Sequence, residues 1–340
     1  MGNVAIVSNS LSGGGAEYSC ELIHQELKQR NVPVFWIGIN SENPRHIRVN
    51  ESVLCLNRDK QKGMVHTFLI YCQFVRLLYQ LDITQIITNC ELPELLSCFI
   101  PKKIRLVVVE HANPTWYNRD ILGYIVRTLL KFRGSIFVTV GDHLSPRYAQ
   151  KQKTVHIPNP VPSVELTFVS SPTRNLRRLI YVGRLSRDFK NPQLVLQIGK
   201  HAHVKTVFVG TGPLLSELKQ VAAELGVEAH FCGFKELPWE IYEDGDLLII
   251  PSYAEGDGLV LIEAIARGIP FLATDIPDLN RYGINANNYC SNLEAFLKQI
   301  EVFRHRIGEL VVPKEIVSRI YSKRNIEVVG QQWYNLINQE

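Results

Sequence analysis

Short apolar runs rich in β-branched residues alternate twice along this chain with stretches whose apolar positions recur every three to four residues. The short runs predict buried strands, and the longer stretches predict amphipathic helices. Strands that alternate with helices predict parallel sheets, so each series indicates a doubly wound, Rossmann-like α/β domain. The first series has predicted strands at 4–8, 34–38, 84–88, 105–110, 135–140 and 154–158, with helices over 16–30, 64–80 and 119–133. The second has strands at 178–183, 206–210, 228–233, 246–252 and 270–274, and helices from 192 and over 213–225, 259–266, 292–305 and 313–338.

The chain is long enough for two domains, since 340 residues exceed what one hydrophobic core usually supports. A segment rich in proline and serine, 161–177, reads as a linker between domains at 1–160 and 178–312. The last segment, 313–340, is expected to form a helix that packs back on the first domain. In doubly wound sheets ligands bind beyond the carboxyl ends of the strands, so we expect a site in a cleft between the domains.

The composition is that of an ordinary globular protein, with 46% hydrophobic and 21% charged residues. The start of the sequence lacks the basic flank of a secretory signal, and no run approaches the ~18 to 20 apolar residues of a membrane span. Seven cysteines without CxxC spacing argue against a disulfide framework and a structural zinc site. We therefore predict a cytoplasmic protein with reduced thiols.

Positive charge is concentrated in the first half of the chain. Residues 1–165 carry 18 Lys and Arg against 13 Asp and Glu, a net charge of +5, whereas the remainder has 19 against 20. This excess is small for a nucleic-acid-binding protein and fits a face that meets anionic lipid. The segment 119–133 combines Arg119, Arg127, Lys131 and Arg133 with six large apolar residues. Such a helix either lies in a membrane interface or packs its apolar side on the sheet with its charges in solvent.

The first loop that could bind a ligand contains Gly13, Gly14 and Gly15, between the first strand and the first helix. Glycines there let backbone approach a ligand closely, and the helix N-terminus favours anions. The spacing is not GxGxxG, no GK[ST] follows, and the second strand ends without an acidic residue, which disfavours dehydrogenases and P-loop enzymes. A purely structural turn is the alternative.

Charged residues follow two strands of the second series. Arg184 and Lys190 leave the strand 178–183, and the pair either binds a diphosphate or is solvated surface charge. In the segment 254–268, Glu255 lies in a glycine-containing turn and Glu263 lies in an apolar helix. A buried carboxylate needs a partner, either Arg267 at i+4 or ligand hydroxyls such as those of a ribose.

Together these segments resemble a known family. Arg184 and Lys190, the VGTGPL segment at 209–214, the FCGF segment at 231–234 and the E-x7-E spacing of Glu255 and Glu263 are similar to the donor-binding half of retaining GT-B glycosyltransferases, specifically the large fourth family (glycosyl transferases group 1). The IPNPV segment, 157–161, resembles that family's interdomain segment, and His111 occupies the position of its active-site histidine.

The resemblance implies catalytic roles for Arg184, Lys190, Glu255 and His111. Arg184 and Lys190 would hold the nucleotide diphosphate, Glu255 would contact the donor sugar and Glu263 the ribose hydroxyls. His111 would lie near the reacting sugar. Cations and helix-end amides can stabilise a departing diphosphate, so the resemblance implies no metal and no cofactor other than the nucleotide-sugar donor.

Further donor contacts are implied at Gly14 and Gly15, which would approach the phosphates or sugar, at the amides of Gly258 and Leu259, and at Phe234 beside the base. A UDP-sugar is the expected donor on family frequency. The expected acceptor is a saccharide or a lipid-linked sugar in cell-surface polysaccharide or lipopolysaccharide assembly. The enzyme would then work in the cytoplasm or peripherally on the inner face of the membrane, with no nucleic-acid partner.

Three features complicate this interpretation. The triplet Asp244-Gly245-Asp246 has the DxD form of metal-dependent transferases but precedes its strand, so we do not assign it a metal. Asp257 adds a negative charge where phosphate should bind, and residues 276–280 replace the family's Gly-Gly-x-x-Glu-like loop. Two alternatives therefore stay open: a sugar-nucleotide epimerase or hydrolase of the same architecture, and a non-catalytic partner subunit.

Overall fold

The computed structural model describes residues 2–11, 14–40, 50–111, 116, 119–141, 154–162 and 175–339. The chain divides into two compact units. The first comprises Met1–Pro162 and Lys323–Glu340, and the second comprises Ser163–Ser322. Residues 163–174 of the predicted linker lie outside the described residues.

The first unit is built on a parallel sheet that has seven strands in the described residues. Its strands are β1 (Asn3–Ser8), β2 (Val34–Asn40), β3 (Val53–Arg58), β4 (Ile83–Asn89), β5 (Arg105–Glu110), β6 (Ile136–Thr139) and β7 (Thr154–His156). Their order is β3-β2-β1-β4-β5-β6-β7, which reverses direction beside β1 as in doubly wound nucleotide-binding folds. Its helices, numbered in chain order, are α1 (Gly15–Gln29), α2 (Gly63–Gln80), α3 (Glu91–Ser97), α4 (Asp120–Phe132) and α11 (Ile326–Asn338).

Helices cover both faces of this sheet. On one face α1 and α11 share a buried apolar cluster that includes Leu27 and Trp333. Arg30, just after α1, donates to the Gln331 side chain at 2.5 Å and to the Glu327 carbonyl at 2.9 Å. On the other face α2, α3 and α4 close a second cluster.

The second unit has a parallel sheet of six strands in the part of the chain that the structure describes. The strands are β8 (Arg178–Val182), β9 (Lys205–Val209), β10 (Ala229–Gly233), β11 (Asp246–Ile250), β12 (Phe271–Thr274) and β13 (Tyr289–Cys290), in the order β10-β9-β8-β11-β12-β13. The helices are α5 (Pro192–Ala202), α6 (Leu215–Leu225), α7 (Leu259–Ala266), α8 (Pro277–Asn280), α9 (Leu293–Phe303) and α10 (Lys314–Tyr321). The reversal beside β8 puts the loops after β8 and β11 at the position where such sheets bind ligands.

The predicted α/β class with two doubly wound sheets is confirmed, but several elements differ. The single helix predicted over 313–338 is two helices, because the chain turns at Ser322–Asn325 and the Asn325 side chain caps α11 by accepting from the Glu327 amide at 2.9 Å. The strand Val53–Arg58 and the helix Glu91–Ser97 were not predicted. His111 consequently follows the fifth strand of its sheet, not the fourth.

Candidate active site

Two glycine-containing loops of the second unit pack backbone against backbone. A Cβ atom at Gly210 would lie 1.9 Å from the Gly183 carbonyl oxygen, and one at Gly212 would lie 2.2 Å from the Leu185 carbonyl oxygen. The Leu185 amide also donates to the Thr211 carbonyl at 2.9 Å. The two glycines of the VGTGPL segment, Gly210 and Gly212, therefore allow the close backbone contact that positions the loop carrying Arg184 and Lys190.

Lys190 and Glu255 come together at the carboxyl edge of this sheet. The Lys190 ammonium forms an ion pair with the Glu255 carboxylate, and the two side chains are 24% and 13% exposed. The Ser252 hydroxyl donates to the same carboxylate at 2.6 Å. Because the pair is half-buried and hydrogen-bonded, each charge offsets the other.

Arg184 lies on the same loop as Lys190 but faces solvent. Its guanidinium makes no ion pair with any described residue. Its carbonyl accepts from the buried Tyr181 hydroxyl at 2.8 Å, and burial, reinforced by the Glu255 charge, raises the pKa of that hydroxyl. The Tyr181 hydroxyl thus holds the Arg184 main chain, whereas the Arg184 guanidinium remains exposed to solvent.

The loop that replaces the Gly-Gly-x-x-Glu-like sequence contacts Glu255 directly. Residues Pro277–Asn280 form the one-turn helix α8, and the Asp278 carboxylate accepts from the Glu255 main-chain amide at 2.8 Å. The sequence had placed contacts from this loop in doubt. The structure shows that it holds the backbone of a candidate site residue through Asp278.

Asp257 does not present the unpaired negative charge that the sequence suggested. Its side chain is 2% exposed, and its carboxylate accepts from Arg281 at 2.6 Å. The Tyr282 hydroxyl donates to the Asp257 carbonyl at 2.6 Å, and the Arg281 guanidinium lies 4.9 Å from the Tyr282 ring centre. The expected charge is neutralised by a cation 24 residues further along, which local spacing could not reveal.

Glu263 is buried, as expected, but Arg267 does not take its carboxylate. The Trp239 indole N–H donates to it at 2.5 Å, whereas Arg267 donates to the Glu263 main-chain carbonyl at 3.0 Å and stacks over the Trp239 ring at 5.5 Å. Burial raises the pKa of Glu263, opposed by the Trp239 hydrogen bond and the Arg267 charge. Trp239 was not predicted as the partner of Glu263, although a half-buried indole N–H normally has a hydrogen-bond acceptor.

The start of α7 lies between these two glutamates. Gly258 caps it with φ of 67°, and no side chain caps its first amides. A Cβ atom at Gly258 would lie 2.9 Å from a Leu279 methyl group, so both conformation and space favour glycine there. The first turn, beginning at Leu259, leaves its amides for an anion. Phe234, which follows β10, is 47% exposed.

Asp246 of the DxD triplet is committed to a structural ion pair. Its carboxylate is fully buried and accepts from Arg178 at 2.7 and 2.6 Å and from the Glu243 amide at 2.7 Å. Across the described ranges no cluster of three or more His, Cys, Asp or Glu side chains has the arrangement of a metal site.

In the first unit, Gly14 caps the N-terminus of α1 and Gly15 begins the helix; Gly13 lies outside the described residues. The Glu17 carboxylate accepts from the Gly14 amide at 2.9 Å. Among the described residues, Glu17 is the nearest neighbour that a Cβ atom at Gly14 would have, at 4.0 Å, and φ is an ordinary −105°. Within the described residues neither conformation nor space requires glycine at this position.

His111 is held by a neighbouring strand. Its Nε2 atom contacts Oδ1 of Asn89, whose Nδ2 lies 3.0 Å from the Ala16 carbonyl oxygen and 2.6 Å from Sγ of Cys20. A carbonyl can only accept, so the Asn89 nitrogen must face Ala16 and its oxygen must face His111. The neutral imidazole therefore carries its proton on Nε2. Burial raises the pKa of the Cys20 thiol, which stays protonated.

Behind His111 lies a buried ionic network that corrects the interpretation of segment 119–133. Arg127 is only 3% exposed and donates to Glu94 at 2.8 and 3.0 Å, and it also contacts Glu110. The Trp116 indole donates to Glu94 at 2.9 Å. Burial raises the pKa of Glu94 despite these partners. Arg127 is thus a core residue and not part of an exposed basic face.

Comparisons with known proteins agree with this architecture. Residues 166–301 match the family described as glycosyl transferases group 1. Over 264 residues, 71% of each chain, the protein is 30% identical to the GalNAc-alpha-(1->4)-GalNAc-alpha-(1->3)-diNAcBac-PP-undecaprenol alpha-1,4-N-acetyl-D-galactosaminyltransferase of Campylobacter jejuni.

Two solved structures show the same fold over nearly whole chains. Anabaena HepE, solved in complex with UDP and glucose, superposes with a TM-score of 0.77 at 15% identity, covering 99% of each chain. Sucrose-phosphate synthase of Thermosynechococcus elongatus superposes with a TM-score of 0.76 at 16% identity, covering 100% of this chain and 99% of that one. The fold is therefore GT-B.

The fold and the family match together place the protein in the class of GT-B glycosyltransferases. The chain belongs to the glycosyl transferases group 1 family, and it is a glycosyltransferase.

Proposed function

We propose that the protein transfers a sugar, with retention of anomeric configuration, from a UDP-sugar to a saccharide or lipid-linked acceptor. The observation that carries this proposal is the Lys190–Glu255 pair at the ligand-binding edge of the second sheet, with exposed Arg184 on the same loop. Support for the nucleotide comes from Anabaena HepE, whose structure contains UDP and glucose.

In this proposal the donor replaces the internal ion pair. The diphosphate takes Lys190 and Arg184, because two phosphate charges attract an ammonium and a guanidinium more strongly than one carboxylate does. Glu255 is then released to accept hydrogen bonds from sugar hydroxyls. The amides at Gly258 and Leu259 add donors to the phosphate, and Glu263 accepts from the ribose beneath Phe234.

The chemical step breaks the bond between the anomeric carbon and the diphosphate oxygen, and the electron pair leaves with UDP. The acceptor hydroxyl attacks the same face and passes its proton to the departing phosphate oxygen. Negative charge grows on that oxygen in the transition state, so Arg184, Lys190 and the α7 amides lower the barrier, typically by ~3 kcal/mol for each well-placed donor. We propose that these groups act without a metal ion.

The first unit contributes Gly14, Gly15 and His111 in this proposal. Gly14, at the N-terminus of α1, would let the main chain approach a phosphate or sugar closely. With its Nε2 atom against Asn89, His111 is an oriented imidazole, and we assign it to the donor sugar.

We propose that the acceptor is lipid-linked and that the enzyme works peripherally on the cytoplasmic face of a membrane, in cell-surface polysaccharide or lipopolysaccharide assembly. The name of the Campylobacter jejuni relative specifies an undecaprenol diphosphate-linked acceptor, which supports this choice.

A thermal-shift panel of UDP, GDP, ADP, CMP and dTDP, with and without magnesium and EDTA, tests the donor assignment. The expected result is a UDP-induced rise in Tm that EDTA does not remove. No shift with any nucleotide, in a protein that melts cooperatively, would contradict the donor site.

Variants Lys190→Ala and Glu255→Ala test the assigned pair. Each should lower turnover of the UDP-sugar at least about tenfold, since each removes a contact to the leaving group or the sugar. Lys205→Ala is the matched control, because Lys205 forms an exposed ion pair with Glu228 at 2.7 Å in the same unit. Wild-type turnover in either site variant would refute the assignment.

A further inference from the structure

Exposed apolar side chains are concentrated on one surface of the first unit. Of the 17 large apolar side chains that are exposed in the described residues, twelve lie on α2, on α4 or just after α3. They are Met64, Val65, Phe68, Leu69, Tyr79, Phe99, Ile121, Leu122, Tyr124, Ile125, Leu129 and Phe132. Exposed apolar groups on this scale mark an interaction surface.

These side chains belong to one continuous layer of helices. Helices α2, α3 and α4 cover the same face of the sheet and share its apolar cluster. The Tyr71 hydroxyl of α2 donates to the Phe99 carbonyl at 3.0 Å, and the Cys98 thiol contacts the Val126 carbonyl of α4 at 3.9 Å. The Lys103 ammonium lies 5.2 Å from the ring centre of Tyr79. We call the outer side of this layer the α2–α4 surface.

The charge on and beside the α2–α4 surface is net positive, although Asp59, which pairs with Lys62 at 4.0 Å, Asp82 and Glu91 flank its helices. The 18 residues of α2 include no Asp or Glu, and α4 contains only Asp120. Exposed cations surround or interrupt the apolar positions, at Lys62, Arg76, Lys102, Lys103 and Lys131. Arg127, counted from the sequence as part of a basic face, is buried; these other residues supply the charge.

An apolar surface with a cationic rim matches an anionic bilayer, because apolar groups enter the interface while lysines meet the lipid phosphates. A second copy of this chain fits less well, since a twofold interface would bring the same cations opposite one another. No helix of the described residues has the length and hydropathy to cross a bilayer, so contact would be in the plane of the interface.

We propose that the α2–α4 surface docks the enzyme on anionic membrane. The apolar residues of the first two turns of α2 and the start of α4 lie toward the carboxyl edge of the sheet, the edge from which His111 follows β5. Docking would therefore bring that edge close to the lipid headgroups. The inference rests on the proposed function for its lipid-linked acceptor, but the surface itself is argued from the side chains above.

Vesicle flotation tests the proposal with full-length protein, using phosphatidylcholine vesicles and vesicles that also contain phosphatidylglycerol, at low and high salt. Wild type should float with the anionic vesicles, and less so at high salt. The double variant Phe68→Glu/Ile125→Glu should reduce binding at least about tenfold. Val328→Glu, on the opposite helical layer at α11, is the matched control and should bind as wild type does; Val328 is 41% exposed.

Two further readouts separate the possible outcomes. UDP-induced thermal shift should be unchanged in every variant, which shows that folding and the donor site are intact. Absence of wild-type flotation, or equal flotation of the double variant, would overturn the proposal. So would light scattering that shows a dimer which the double variant dissociates. Vesicle binding without any nucleotide shift would instead count against the proposed function and leave the docking surface standing.

Discussion

The two units hold their candidate site residues by different physical means. In the second unit charged side chains are paired with each other, Lys190 with Glu255 and Asp257 with Arg281. In the first unit His111 is held by the neutral amide of Asn89. An internal ion pair holds both charged side chains in place, and it avoids the destabilisation that a buried charge without a partner would cause. A neutral amide instead fixes orientation and tautomer.

Arg281→Met should have the largest effect of the variants that test this comparison. It leaves the Asp257 carboxylate buried without its cation, so we expect a loss of about 3 kcal/mol in the free energy of unfolding, measured by urea titration. Arg187→Met is the control, because Arg187 pairs with Glu217 at 2.6 Å on the surface, with side chains 70% and 37% exposed. That change should cost below about 1 kcal/mol.

The double variant Asp257→Asn/Arg281→Met sharpens the result. Removing the buried charge together with its partner should recover part of the loss, since the cost comes from the unpaired carboxylate. Equal destabilisation by Arg281→Met and Arg187→Met would show that the Asp257 charge does not depend on Arg281.

Asn89→Leu tests the neutral arrangement of the first unit. The variant removes the acceptor for His111 Nε2–H, so we expect kcat to fall about tenfold with KM little changed, as for a group that positions a residue beside the reacting sugar. Asn89→Asp keeps the acceptor but adds a charge that favours the imidazolium, so the acid limb of its pH–rate profile should move to higher pH.

Asn288→Leu is the control for these variants. Asn288 is equally buried and donates to the Phe271 and Leu310 carbonyls at 2.9 and 2.7 Å in the second unit. It should lose stability without a change in the shape of the pH profile. If Asn89→Leu and Asn288→Leu give the same kinetics, Asn89 is structural and does not act through His111.

Hydrophobic periodicity and the order of strands and loops were sufficient to predict the two sheets and the position of several candidate site residues. Strands and loops placed Arg184, Lys190, Glu255 and Glu263 at one sheet edge because parallel strands end at a common edge. The same reasoning found two doubly wound sheets. It missed Val53–Arg58, whose alternation of buried and exposed positions is weak.

The partners that complete the site could not be predicted in this way. Trp239 and Glu263 are 24 residues apart, as are Asp257 and Arg281, and Asn89 lies 22 residues from His111. Helical periodicity identifies neighbours only three or four positions away, which is why Arg267 was considered for Glu263 and Trp239 was not. Contacts between successive strand–helix units depend on how the sheet is assembled.

Trp239→Phe should have the smallest effect of the series and tests Glu263, a buried carboxylate of the second unit whose hydrogen-bond donor is a neutral indole. Phenylalanine keeps a ring beneath Arg267 but removes the N–H that donates to Glu263. We expect UDP affinity, measured by calorimetry, to fall about threefold, less than the loss of a direct hydrogen bond to a charged group would cost, because Trp239 acts on the ribose only through Glu263.

Two measurements distinguish an effect through Glu263 from a general packing defect. They are the pH dependence of UDP affinity and the affinity for a nucleotide that lacks one ribose hydroxyl. Burial already raises the pKa of Glu263, and losing the Trp239 donor raises it further, because the donor favours the ionised form. The variant's deficit should therefore grow as the pH falls, when its Glu263 becomes protonated before that of wild type. It should shrink for 2′-deoxy-UDP, which lacks one ribose hydroxyl that Glu263 would accept from. A deficit that is the same at every pH and for both nucleotides would mean that Trp239 acts on the base or the fold and not through Glu263.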